Sequence, residues 1–169
     1  MDDEPPPLTI VPPGEGRTAD LGDGVGVAVK LAGADTGGSV AVVEHPFAVG
    51  AYVSAHLHTR GRVLDRRRGG DRLPLGDREA VLGPGSYITR PRGEMHAMWN
   101  AGTAPARMIE IISPAGFELF FRDVADLAEA RTTDPAPFVA LAASYGLEFG
   151  EPDWQADLLR RYGLTPPAW

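Results

Sequence analysis

From about residue 22 to residue 115 the chain is a series of short apolar segments, each cut by Gly, Pro, Asp or Asn. VGVAVKLA, GSVAVVEHPF, GAYVSAHLH, REAVLGPGSYITRP, EMHAMWNAG and ARMIEIISP follow one another at strand length with turn residues between them. Such spacing predicts a mainly β fold, an antiparallel sandwich or barrel.

The two ends differ from this middle. Residues 1–16 (MDDEPPPLTIVPPGEG) carry five prolines and little to bury, so residues 1–21 are expected to form a flexible arm. After the β segment, FELFFRDVADLAEA (117–130) places Phe117, Phe120, Phe121, Val124 and Leu127 at helical spacing. Asp134-Pro135 then offers a helix start before FVALAASYG, and Gly146 and Gly163 each follow a Tyr as stop signals. The expected organisation is an arm at 1–21, a β domain at 22–116 and a helical extension at 117–169. The extension is expected to pack on the outside of the domain or to join two copies.

Composition narrows the function. With no cysteine among 169 residues, disulfides, thiolate catalysis and Cys-type zinc sites are excluded. A net charge of −7 argues against nucleic acid as a partner. No apolar run is long enough to cross a bilayer, and the acidic, proline-rich start does not resemble a signal peptide, so a cytoplasmic location is expected. The charge is uneven, however: residues 60–72 hold six of the 15 arginines.

The chemistry concentrates in histidine. His56-Leu57-His58 puts two imidazoles on one face of a strand, where residues i and i+2 point the same way. A single interior histidine is more often a hydrogen-bonded core residue than a ligand, but the pair makes the two readings equal. His96, on another strand with apolar neighbours, adds a third. Neutral imidazoles converging from two strands suit Zn, Fe, Ni or Mn. His45, beside Pro46, is expected to be structural or exposed.

These residues resemble the cupin family. Its second motif, G-x5-P-x-G-x2-H-x3-N, is met by Gly85-SYITR-Pro91-Arg92-Gly93-EM-His96-AMW-Asn100. Its first, G-x5-H-x-H-x3-4-E-x6-G, is met by Gly50-AYVSA-His56-Leu57-His58, with Gly69 or Gly70 as its last glycine. The resemblance covers about residues 22–115, and ISPAGFE after it is similar to small single-domain bacterial cupins related to quercetin dioxygenases. It implies a double-stranded β-helix (jelly-roll) barrel, a divalent transition metal held by His56, His58 and His96, a small-molecule substrate and a homodimer.

The chain departs from the first motif at its carboxylate. The ligand Glu should stand at 62 or 63, where the sequence has Arg62 and Val63, and the next strand is replaced by LDRRRGGDRLP. Three adjacent arginines and Pro74 fit a strand badly, so residues 61–74 are expected to be a poorly ordered basic loop. A second history fits the same run. Codons for 60–74 can be chosen so that small insertions restore REDESWTGVEGETGSR before Leu75, which carries the missing Glu; the gene's nucleotide sequence separates the two. Asp65 is a remote substitute ligand.

Strand alternation sketches the rest of the pocket. Tyr52 and Ser54 are expected on the face of His56 and His58, and Met98 on the face of His96. Trp99 and Phe47 are expected in the core, although either would suit the pocket mouth. Asn100 is expected to be a structural turn residue. Glu110 is either a partner for a histidine N–H or, as preferred, the outward half of a strand alternation. The functional expectation is a metal-dependent small-molecule enzyme, dioxygenase-like, with no side chain marked as general base. The alternatives are a cupin-type isomerase or polyketide cyclase, or a barrel that binds without catalysis.

Overall fold

A computed structural model of the chain describes residues 8–59, 62–68, 71–75, 78–129 and 134–167. Eleven strands and three α-helices are present among them. The strands are β1 (Arg17–Asp20), β2 (Gly26–Leu31), β3 (Ala41–Phe47), β4 (Tyr52–His58), β5 (Arg62–Arg68), β6 (Asp71–Leu75), β7 (Arg78–Leu82), β8 (Tyr87–Arg90), β9 (His96–Trp99), β10 (Ala106–Ser113) and β11 (Leu147–Phe149). The helices are α1 (Glu118–Glu129), α2 (Ala136–Ser144) and α3 (Asp153–Tyr162). No helix among the described residues is long and apolar enough to cross a membrane.

The strands form two antiparallel sheets, ordered β1-β2-β3-β10-β5-β8 and β11-β4-β9-β6-β7. Strict alternation explains β3 and β10. In AVVEHPF every second residue, from Ala41 through Val43 and His45 to Phe47, is buried, and in ARMIEIIS the buried set is Ala106, Met108, Glu110 and Ile112. Arg17–Asp20, grouped by sequence with the arm, pair in register with β2 as an edge strand.

The arginine run corrects an expectation. Residues 62–68 form a regular strand with β10 on one side and β8 on the other. Residues 71–75 form a second strand between β7 and β9. Both backbones therefore have ladder partners, and that local pairing outweighs the poor strand propensity of the run. Pro74 is accommodated because β6 meets β9 at the pairs Arg72–Trp99 and Leu75–His96 rather than at Pro74. Arg60, Gly69 and Gly70 lie outside the described residues, as does the side chain of Asp65.

The C-terminal extension is not a simple outer layer. Phe120, Phe121 and Val124 of α1 bury themselves in one core cluster with Val27, Val43 and Ile112 of the six-stranded sheet. This is the amphipathic face expected of the helix. After α2, whose first turn is capped by the Asp134 carboxylate accepting from Ala136 N–H at 2.9 Å, the chain turns at Gly146 and adds β11 to the edge of β4. Gly146 sits at φ +72°, a left-handed conformation that glycine adopts without a Cβ clash. Helix α3 then covers the outer face of β4 and β9, where Leu158 packs with Tyr52, Ala55, Ala97 and Trp99. It is tied to β7 by Arg161, whose Nη1 donates to Glu79 at 3.0 Å. Strand β9 is thus buried on both faces, which is why HAMW carries no exposed residue.

Candidate metal centre

His56 and His58 come from β4 and His96 from the neighbouring β9, so two adjacent strands place all three imidazoles together. One ring nitrogen from each lies within 4.8 Å of the others, and all three residues are buried. Two local devices aim the rings. His56 Nδ1 is 2.7 Å from the carbonyl of Ser54, and His96 Nδ1 is 2.9 Å from that of Glu94. A carbonyl only accepts, so both Nδ1 atoms carry the proton and both Nε2 atoms present lone pairs. His58 Nε2 is buried with no hydrogen-bond partner. An orphaned buried nitrogen is costly in a finished core, and metal ligation is one way to satisfy it.

The turn between β8 and β9 sets the third ligand. Gly93, at φ +71°, donates its N–H to the carbonyl of His58 at 2.9 Å and so hooks the β9 approach onto β4. Asn100 closes the far end: its Nδ2 donates to the carbonyls of Phe47 and Ala104, and its Oδ1 accepts from Gly102 N–H. It is the turn residue that the sequence implies.

The rings are uncharged at ordinary pH. Burial, with the Arg90 charge adding to it, pulls the His56 pKa down to about 4. His58 and His96 are pulled further down, chiefly by burial and then by the neighbouring histidine. Neutral imidazole is the form that ligates metals.

Arg90 is the residue that sequence reasoning missed. Tyr87 and Thr89 are exposed, whereas Ile88 and Arg90 face inward, so alternation along SYITR carried the signal. Arg90 is only 5% exposed. Its Nη1 donates to His96 Nε2 at 3.0 Å, with Met98 Sδ at 3.7 Å, and its Nη2 donates to Glu110 Oε1 at 3.1 Å. The other Glu110 oxygen accepts from His45 Nε2 at 2.9 Å, and His45 Nδ1 lies 3.2 Å from Gly26 O. Burial opposes ionisation of Glu110, but the His45 hydrogen bond and the Arg90 charge outweigh it and hold the carboxyl below its usual range.

One preference from the sequence is therefore reversed. Glu110 faces inward, 3% exposed, and partners a histidine, though one outside the three. His45 is a buried member of the same network.

Tyr52 is a further correction. β4 pairs with β9 at Tyr52–Trp99, Val53–Met98 and His56–His96, so β4 spends one more residue than β9 between the last two pairs. That bulge inverts the alternation. Val53 then shares the inner wall with Met98 and the histidines, while Tyr52 packs outward with Trp99 and α3. Phe47 is both core and wall.

The pocket measures about 660 Å3, counted out to the solvent at its mouth. Much of its wall comes from the extension: Phe117 meets the His58 ring edge to face at 4.8 Å, and Phe149 lies 5.9 Å from His56. Phe120 and Phe138 continue this aromatic side. Among the described residues that line it, the polar groups apart from the histidines are Arg90 and Glu110.

No protein-family model matches the chain, and no curated protein sequence matches it. Solved structures do. KdgF from Halomonas sp. superposes with a TM-score of 0.58 at 19% identity, over 66% of this chain and 99% of that one. An RmlC-like cupin from Shewanella frigidimarina gives 0.55 at 18% identity, over 66% of this chain and 96% of its own. The polyketide cyclase RemF from Streptomyces resistomycificus gives 0.55 at 18% identity, over 63% and 79%. With its two antiparallel sheets and its histidines on adjacent inner strands, the chain has the cupin fold.

Proposed function

We propose that the chain is a metal-dependent enzyme acting on a small planar molecule, with His56, His58 and His96 as the metal ligands. One observation carries this reading: one ring nitrogen from each of His56, His58 and His96 lies within 4.8 Å of the others, in a buried group where backbone carbonyls fix the rings of His56 and His96 and His58 Nε2 has no hydrogen-bond partner. A divalent ion held by three neutral imidazoles supplies a Lewis acid with positions left for a substrate oxyanion. The protein's own part is to exclude water and orient the substrate. The phenylalanines of the 117–169 extension form an apolar wall beside the ligands, and the 22–116 domain supplies the polar groups.

The reaction proposed is dioxygenase-like, on a catechol or an enolisable diketone. A ring-closing or ring-opening reaction without oxygen is the second reading, favoured by the fold similarity to a polyketide cyclase. Oxygen-electrode measurements on metal-loaded protein separate them. Substrate loss with matching oxygen uptake supports the first, and substrate loss without uptake supports the second.

The ligand set is tested without knowing the substrate. Equilibrium dialysis against excess Co2+ should give about one equivalent bound to the wild type and less than about a tenth to His58→Ala. Equal occupancy in the two proteins overturns the ligand set; no uptake by either overturns the metal reading.

A further inference from the structure

We infer that the histidine pocket is entered at its phenylalanine side, through Phe138 and Phe149, from an outer groove that selects neutral, flat molecules carrying a hydroxyl group. The route stands on the geometry of the two spaces; the kind of molecule that travels along it rests on the proposed function.

The pocket leaves few places for an opening. Of the described residues that line it, Leu21, Val53, Phe117, Phe138 and Phe149 are half-buried and the others are buried. Leu21 and Val53 pack against the core cluster that holds Phe47 and Met108. The phenylalanines stand at the histidines instead. Phe149 is paired with His56 across β11 and β4, with ring centroids 5.9 Å apart.

Beyond this wall lies a second space, a groove of about 830 Å3 counted out to solvent, with α2, β11, β4 and the start of α3 around it. Phe138 and Phe149 line both spaces, and their ring centroids are 5.3 Å apart. A single layer of rings therefore separates the groove from His56. A phenyl ring makes no strong hydrogen bond, so turning it aside breaks none. Both rings also stand on marginal elements. β11 has three residues at the edge of its sheet, and Phe138 lies in the first turn of α2. Such elements open more readily than core strands.

The groove sets what approaches. Glu151 is the one charged residue among the described residues that line it, so anions are disfavoured there. Gln155, which also lines it, has a buried Oε1 with no hydrogen-bond partner. An orphaned acceptor, in a groove whose only charge is a carboxylate, calls for an O–H donor. A neutral phenol, catechol or enol brings that donor on a flat apolar body, which suits Val139, Pro166 and the two rings.

Diethylpyrocarbonate, a small neutral electrophile that acylates uncharged imidazole, tests the route on metal-free protein, with mass spectrometry assigning the modified histidine. His58, whose Nε2 is unpartnered, is the reporter. Phe149→Ala should speed its modification about tenfold or more, whereas Leu21→Ala should change it by less than about twofold. Val139→Trp adds bulk to the groove from a position that is 56% exposed. It should slow the modification about threefold or more, and it carries the test if Phe149→Ala does not fold. Phenol should protect His58 in the wild type but not in Gln155→Leu, and benzoate should protect it in neither. Equal acceleration by Leu21→Ala and Phe149→Ala overturns the route, as does a wild-type rate in Val139→Trp. Protection by benzoate equal to that by phenol overturns the selection, as does protection by neither. All these readouts are taken without metal, so a failure of the metal reading in the dialysis experiment is told apart from a failure of the route.

Discussion

Glu110→Ala should cost about 3–5 kcal/mol of folding stability, measured by chemical denaturation near neutral pH. The size follows from what the carboxylate faces. Glu110 is 3% exposed; it accepts from the Arg90 guanidinium at 3.1 Å and from His45 Nε2 at 2.9 Å. Its removal takes the counter-charge from a buried cation and orphans a buried imidazole N–H, and the second loss alone is worth about 1–3 kcal/mol. Against a typical domain stability of about 5–15 kcal/mol this is a large fraction.

The pair itself is not the source of the cost. Arg90→Met/Glu110→Leu removes both charges and fills their volume, and it should cost less than Glu110→Ala alone, because the dehydration of two ions is relieved together. A loss below about 1 kcal/mol for Glu110→Ala would show that water reaches this network and solvates it, contrary to its burial.

How far the sequence could be read depended on whether local rules met an interruption. β3 and β10 keep strict alternation over their whole lengths, and the second motif places Gly93, His96 and Asn100 by turn chemistry that is local in the chain. The shared face of His56 and His58 was legible for the same reason, whereas the addition of His96 was implied by the resemblance to cupins, since it depends on β4 pairing with β9. The errors arise where a tertiary partner decides. A single extra residue in β4 turns Tyr52 away from the pocket and Val53 into it, and alternation counted from His56 cannot register a bulge.

Glu110 is the charged member of an otherwise apolar alternation, and only the presence of Arg90 and His45 makes an inward carboxylate tenable. The run 61–74 was read as a loop on composition, although β8 and β10 supply ladder partners to 62–68, and β7 and β9 to the strand that begins at Asp71. Phe117 and Phe149 were legible as apolar residues but not as pocket walls. The role of Phe149 depends on β11 pairing back onto the ligand-bearing β4, a contact across about ninety residues that no local pattern encodes.

That return of the extension seals the histidines, and sealing them makes the metal-free fold sensitive to acid. Its thermal midpoint should fall by roughly 10–20 °C between pH 7 and pH 5. In the unfolded chain the three histidines titrate near 6.5; in the fold His56 titrates at about 4, and His58 and His96 lower still, with burial as the main cause in each. Between pH 6.5 and about 4 the unfolded state binds protons that the folded state refuses, so stability rises with pH and is lost as pH falls. Each such group contributes up to about 1.4 kcal/mol per pH unit inside that window. Three of them acting together give a total on the order of 4–6 kcal/mol by pH 5.

Glu110, with its depressed pKa, has the same sign and acts at lower pH, where its stabilisation is lost as the carboxylate is protonated. Calorimetry on metal-free protein across this range measures the slope, and His58→Leu should reduce it by about a third, since one of three refused protons is gone. A midpoint that stays flat from pH 7 to 5 would mean that the imidazoles protonate inside the fold. Excess Co2+ should raise the midpoint most near neutral pH and progressively less toward pH 5, because protons and metal compete for the same lone pairs.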